Sequence, residues 1–343
     1  MSNFWETVGK TLGKTGQVLD DARREAERLA REAGQSVSEA VDQAQQAYSG
    51  QANAEPVDIG ALPEHQRVAF AGALYALAVA DGALDKEELQ LIVDLVNLDG
   101  LSAMGRRMVL GFVVEPPPFL DALAPLAGAD EAVRFALLLN LIELALANDL
   151  LSPRQDALLK TAQAELGASD AQYRALWGFV RQLRAVRLRG VDDTAAAQVT
   201  KTAAAGLAAV GVPIAAVYVS GSVIGLSVAG ITSGLAALGL GLGMVPGIGV
   251  AVLLGTGVFL GVRALLAAGV DGDAGVLRRA VAQRARAVLA DLEEMAVRVD
   301  ERIVVVEREA DSTEAGLRLA SLHERRRALL QIASRRRALA EAV

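Results

Sequence analysis

The chain has 343 residues, a formal net charge of −7 and no cysteine, which excludes disulfides, a thiol nucleophile and any cysteine-held zinc or iron–sulfur site. Its histidines, His65 and His323, are far apart in sequence, so a histidine-rich metal site is not expected. No GxxxxGK(S/T) loop, GxSxG elbow or HExxH helix occurs, and the shortage of nucleophiles and general bases makes enzyme activity an unexpected outcome.

Residues 1–48 read as amphipathic helices. Phe4, Val8 and Leu12 recur at i, i+4 and i+8, Trp5 and Leu19 lie near the same side, and Lys10 and Lys14 sit on another. This pattern suits a helix lying on a membrane surface, and it equally suits a helix docked on the protein's own core. Met1–Asp20 lacks a basic start followed by a continuous apolar run, so a secretory signal is not expected. Residues 49–62 carry Pro, Gly and small residues without a period and read as a linker.

A helical domain is expected over residues 63–190. Val68–Ala80 is almost wholly apolar but only thirteen residues long, which is too short to cross a bilayer and long enough for a core helix. After it, Asp85 with Glu88 three residues on forms a capping box, in which each side chain serves the other's backbone N–H. Pro116–Pro118 separates this half from a second one. At an offset of 67 residues, Leu74, Leu77 and Ala78 meet Leu141, Leu144 and Ala145, while Asp81, Asp85 and Glu88 meet Asn148, Ser152 and Gln155. Ser152-Pro153-Arg154-Gln155 is again a capping box, with proline at the first helical position. An apolar helix, a tight turn and a capped helix thus occur twice.

Ala78–Ile92 (AVADGALDKEELQLI), the apolar helix before it and Leu150–Tyr173 resemble the tellurite-resistance TerB-like family. The resemblance covers about a third of the chain. It implies an all-helical domain of stress-linked, membrane-proximal assemblies, and it implies a divalent cation held by an acidic cluster. The matching residues are Asp81, Asp85 and Glu88; their counterparts Asn148, Ser152 and Gln155 depart from the pattern. Read from the residues alone, Asp85 and Glu88 cap a helix and Asp81-Gly82 makes a turn. Three carboxylates fall short of the six to eight oxygens that calcium takes, so no cofactor is expected beyond that cation.

The domain's last helix, Ala168–Leu188, starts at Ser169 as its cap. Trp177 and Phe179 are open to a place in the core or at a membrane. The helix ends in RQLRAVRLR, whose Arg181, Arg184, Arg187 and Arg189 are expected to face lipid headgroups, each contributing about 1 kcal/mol near an anionic surface.

Thr202–Val262 contains no Asp, Glu, Lys or Arg. One membrane helix needs about 20 apolar residues, so this stretch accommodates two spans and a turn, placed near Ala203–Ala229 and Leu235–Val262. Basic residues on both sides suit both flanks facing the cytoplasm. Gly221 and Gly225, Gly230 and Gly234, then Gly239, Gly241 and Gly243 recur at spacings that let helix backbones approach closely in lipid. A buried hairpin inside a soluble shell, released by a trigger, is the other reading. The Gly239–Gly243 run has no strand–turn–helix context for a dinucleotide site.

From residue 274 to the end the chain carries fourteen arginines against eleven acidic residues. Leu277, Val281, Val288, Leu292, Met295, Val299, Ile303 and Val306, and later Leu322, Leu329, Ile332 and Leu339, follow steps suited to coiled-coil or bundle packing. Asp311–Glu314 marks a turn between two antiparallel helices. The triplets Arg325–Arg327 and Arg335–Arg337 are candidates for contact with nucleic acid, with lipid headgroups or with the acidic helical domain. Without an aromatic platform or a nucleic-acid fold, nucleic acid ranks last.

The expectation is therefore an all-α protein: a TerB-like helical domain, a Gly-rich two-helix transmembrane hairpin over 202–262, and charged C-terminal helices over 274–343. Expected partners are a lipid membrane, further copies of the chain and an unidentified protein; the expected place is the cytoplasmic membrane.

Overall fold

The computed structural model describes residues 59–82, 84–148, 150–189, 206–213, 274–308 and 313–342. Among them every regular element is helical. A 3-10 turn, Ile59–Ala61, leads into α1 (Glu64–Ala78), α2 (Lys86–Leu95), α3 (Ala103–Gly111), α4 (Phe119–Ala127), α5 (Glu131–Ala145), α6 (Pro153–Glu165), α7 (Asp170–Arg189), α8 (Ala274–Arg308) and α9 (Thr313–Ala342). The predicted linker reaches too far, because Ile59 is already buried in the core.

Beyond their first turns, helices α1 and α5 are almost wholly apolar, which requires burial nearly all round, and they form the centre. Leu74, Leu77, Leu137, Leu138 and Leu141 have no exposure to solvent. The few polar side chains here find partners. Asn140, fully buried, donates to the Ala136 carbonyl at 2.7 Å.

The repeat runs further than sequence comparison reveals. Residues 64–78 and 131–145 are both helices of fifteen residues, and the following helices begin at Lys86 and Pro153, again 67 apart. A third pair then follows. Ser102 caps α3 by accepting from Gly105 N–H at 3.1 Å, and Ser169, 67 residues later, accepts from Gln172 N–H at 3.3 Å at the start of α7. Before each cap the chain turns through a left-handed glycine, Gly100 at φ 74° and Gly167 at φ 71°, a conformation that L side chains rarely adopt. Arg67 on α1 donates to the Asp99 carbonyl at 2.7 Å, and Arg134 on α5 donates to the equivalent Leu166 carbonyl. Each unit therefore has three helices, with an arginine from the first tying down the turn before the third.

Helices α8 and α9 run antiparallel. Arg326 pairs with Asp300 and Arg337 with Glu293, so residue numbers rise on one helix as they fall on the other. Val288, Leu292, Met295, Val299, Ile303 and Val306 are buried as their spacing requires, as are Leu322, Leu329 and Ile332. This pair is not a separate bundle. It packs on α2 and α3 and shares their core. Tyr75 of α1 donates to the Met295 sulfur at 3.4 Å and stands edge-on to Phe112.

Residues 206–213 lie at the start of the first predicted span. Leu207, Ala208 and Val212 are buried in the body's core. The chain turns at Gly211, φ 79°, where Val212 N–H donates to Leu207 O and Gly211 N–H to Ala208 O, both at 3.0 Å. This is the Schellman arrangement that ends a helix, so the helical turn that starts at Gly206 stops at Gly211. Among the described residues no helix is long and apolar enough to cross a membrane. Residues 214–262, with Gly221, Gly225, Gly230, Gly234, Gly239 and Gly243, lie outside the described residues, as does the predicted N-terminal element 1–48.

Candidate functional site

The acidic motif sits where the two repeats meet. At the start of α2 the Asp85 side chain accepts from Glu88 N–H at 3.0 Å, and the Glu88 carboxylate accepts from Asp85 N–H at 3.3 Å. At the start of α6 Ser152 and Gln155 reproduce this arrangement, at 3.1 and 3.2 Å. Both capping boxes are thus formed as the sequence predicts.

The tertiary fold adds a contact between the boxes. Gln155 Nε2 donates to Glu88 Oε1 at 2.8 Å, and Asn148 Nδ2 donates to Asp85 Oδ2. Glu88 and Gln155 are equivalent residues of the two units, so their direct contact lies at the centre of the repeat. Both side chains are buried, 3% and 1% exposed. Asn148 and Gln155, which depart from the acidic pattern in sequence, are the two amides that donate to the acidic copy.

This environment decides protonation. Burial raises the Glu88 pKa to about 8, the negative charge of Asp85 adds to the rise, and the Asp85 N–H and Gln155 amide oppose it. Desolvation outweighs two hydrogen bonds because a buried carboxylate loses its hydration on all sides. Near neutral pH Glu88 is thus mostly the neutral acid.

The donor chemistry does not fit the divalent cation implied by the resemblance. Both Glu88 oxygens and Asp85 Oδ2 already face N–H groups, and amide nitrogens do not ligate hard cations. Asp81 is exposed on the turn before them. Among the described residues no group of three His, Cys, Asp or Glu side chains is arranged to hold a metal ion.

Other candidates are dispersed. On α7 the Arg181 guanidinium lies over the Trp177 ring, 5.2 Å from its centre, and Tyr173 meets the same ring edge-on. Phe179 is buried, whereas Trp177 is half-buried. Arg181 is exposed and Arg184 half-buried. Arg187 and Arg189 close the helix, with side chains outside the described residues.

Each arginine triplet is divided three ways. Arg325 turns into the body, where its Nη1 donates to the carbonyls of Val113 and Val114 at 2.8 and 3.2 Å. Arg336, eleven residues or three helical turns later, pairs with Asp94 of α2. Arg326 and Arg337 face α8, and Arg327 and Arg335 are exposed. From the other side, Arg106 of α3 pairs with Asp291 of α8, which is 6% exposed. Of the three contacts open to the triplets, the one with the helical domain is made by the middle arginine of one and the first of the other. Arg325 and Arg336 stand on the three- and four-residue steps of the apolar stripe Leu322, Leu329, Ile332 and Leu339, the signal that distinguishes them from the other four arginines.

No family model, curated protein or solved structure matches this chain.

Proposed function

We propose that this protein is a non-enzymatic, membrane-associated scaffold whose acidic helical body recruits a protein partner at the cytoplasmic face. The observation that carries this reading is where the charge-free stretch is inserted. It joins α7 to α8, and both helices belong to one folded body. An inserted pair of spans leaves both flanks on the same side, as basic flanks favour. Beyond Pro213 the stretch still has the forty-nine residues 214–262, enough for two spans of about 20 residues and a turn. Its glycine spacing supports self-association of the spans. The TerB-like resemblance of Ala78–Ile92 and Leu150–Tyr173 supports a stress-linked role. With the Asp85–Glu88 cluster satisfied by amides, the body acts as a rigid surface and the membrane segment localises it.

One observation favours a second reading, a pore-forming or membrane-disrupting effector. Leu207, Ala208 and Val212 pack in the body's core, so the hydrophobic stretch starts docked, as a segment held until a trigger would.

Alkaline carbonate extraction of membranes from cells expressing the full chain tests the scaffold reading. Retention in the pellet is the expected result, and recovery of all the protein in the soluble fraction overturns it. Dye-loaded liposomes separate the readings: a scaffold leaves them sealed and an effector empties them.

A further inference from the structure

The α8–α9 pair lies across the first three-helix unit. Arg336 reaches Asp94 on α2, Arg106 of α3 reaches Asp291, and Ser321 Oγ donates to Gly82 O at 3.3 Å. Beneath the pair, Val93 of α2, Val96 and Leu98 just after it, and Val109 and Leu110 of α3 face Val288, Asp291 and Met295 of α8 around a cavity of about 20 Å³. The repeat offset of 67 residues locates the same face on the second unit. There Val93 is replaced by Lys160, Val96 by Gln163 and Leu98 by Glu165. Lys160 and Glu165 are exposed, and among the described residues no helix packs across them. The second unit thus keeps its three helices with this face turned to water. The apolar residues of the first unit's face serve the helices that cover it, since a bare apolar patch of this kind marks an interaction surface.

The covered interface also carries buried charge. Asp291, Arg325 and Arg336 are 6%, 9% and 2% exposed. Arg325 donates to two carbonyl oxygens, and its Nε–H is buried without a hydrogen-bond partner. Charges taken out of water lose hydration that their new partners only partly replace. Lifting the pair returns that hydration, which lowers the cost of opening this interface.

We propose that α8 and α9 form a releasable cover that moves as one piece off the first unit, which stays folded beneath it. Arg326–Asp300 and Arg337–Glu293 hold the two helices to each other. Residues 214–273 separate the pair from the last described part of the body, so its movement breaks no described helix. The charge-free stretch leads into α8, so the cover carries one end of it. This device goes beyond the scaffold reading and stands whether or not that stretch crosses a membrane.

The chain has no cysteine, so single thiols report the opening in the full chain. Val93→Cys lies on the covered face, Met295→Cys on the underside of the cover, and Ala136→Cys, fully buried in α5, reports global unfolding. Each variant is treated with a thiol reagent in native buffer and in urea below the unfolding transition. One opening exposes both interface thiols, so they are expected to react within about threefold of each other and at least about tenfold faster than Ala136→Cys. Their rates should rise with urea, but less steeply than that of Ala136→Cys, because opening exposes less surface than unfolding does. Agreement between the two walls shows that neither substitution created the opening, since each removes different contacts. One common rate and slope for all three thiols overturns the proposal. So do interface rates that differ by more than about tenfold, or that do not respond to urea, which is the behaviour of small local movements.

Discussion

Replacing Glu88 with Gln probes the junction of the two repeats. Glu88→Gln keeps the shape of the side chain and makes it neutral at every pH. The wild-type carboxyl titrates at about 8 in the folded protein against an ordinary value of 4.5. The folded state therefore holds the proton more tightly than the unfolded chain. The resulting stabilisation is complete below pH 4.5 and is lost as pH rises through 8. Between those values the slope approaches about 1.4 kcal/mol per pH unit. Integrated from pH 6 to pH 9, the wild type loses about 2.5 kcal/mol through this group. The variant loses none through it, and all other titrating groups are shared. At pH 6 both folded side chains are neutral, but the unfolded wild type is ionised, so the variant should already be the more stable by about 2 kcal/mol, give or take about 1 kcal/mol for one rearranged hydrogen bond. At pH 9 the gap should have widened to about 4.5 kcal/mol. Denaturant unfolding of both proteins at pH 6, 7, 8 and 9 measures the difference. Two curves that stay parallel across this range would refute the reasoning, because Glu88 would then be ionised throughout and its burial outweighed by the N–H groups around it.

Three further outcomes follow from the same contacts. Millimolar calcium or magnesium should leave the thermal midpoint unchanged, since Asn148 and Gln155 fill the places of ligands; a rise of several degrees would establish a cation site. Arg336→Met should loosen the α8–α9 pair from the body by about 3 kcal/mol, because it removes the buried guanidinium that pairs with Asp94 across this interface. Amide exchange should quicken across α9 but not in α5, and the double variant Arg336→Met with Asp94→Leu should recover most of the loss. Gly211→Ala should cost about 1 kcal/mol, the price of a left-handed backbone for a residue with Cβ. The change should be seen as faster exchange at residues 206–213, and equal exchange would argue that this turn is not held against the body.

Local patterns carried much of this structure. Serine or aspartate followed three residues later by Gln or Glu fixed the starts of α2 and α6, because a capping box depends on neighbours in sequence alone. The apolar runs of α1 and α5 announced burial on all sides, and the three- and four-residue steps of Val288–Val306 announced a helix with one buried stripe. The offset of 67 was visible in the first two helices of each unit. Its third member escaped notice, because α3 and α7 share a cap and a turn rather than an apolar motif.

What the sequence by itself determined was therefore the helices, their caps, the repeated unit and a long stretch without charge. Each follows from interactions between residues a few positions apart. The tertiary structure alone decided which polar groups meet. It set Gln155 against Glu88 and raised that carboxyl's pKa, gave Arg325 and Arg336 their partners on the body, and packed Leu207 and Val212 into the core. Desolvation and long-range pairing depend on what the rest of the chain brings alongside, and no local window of sequence contains that information.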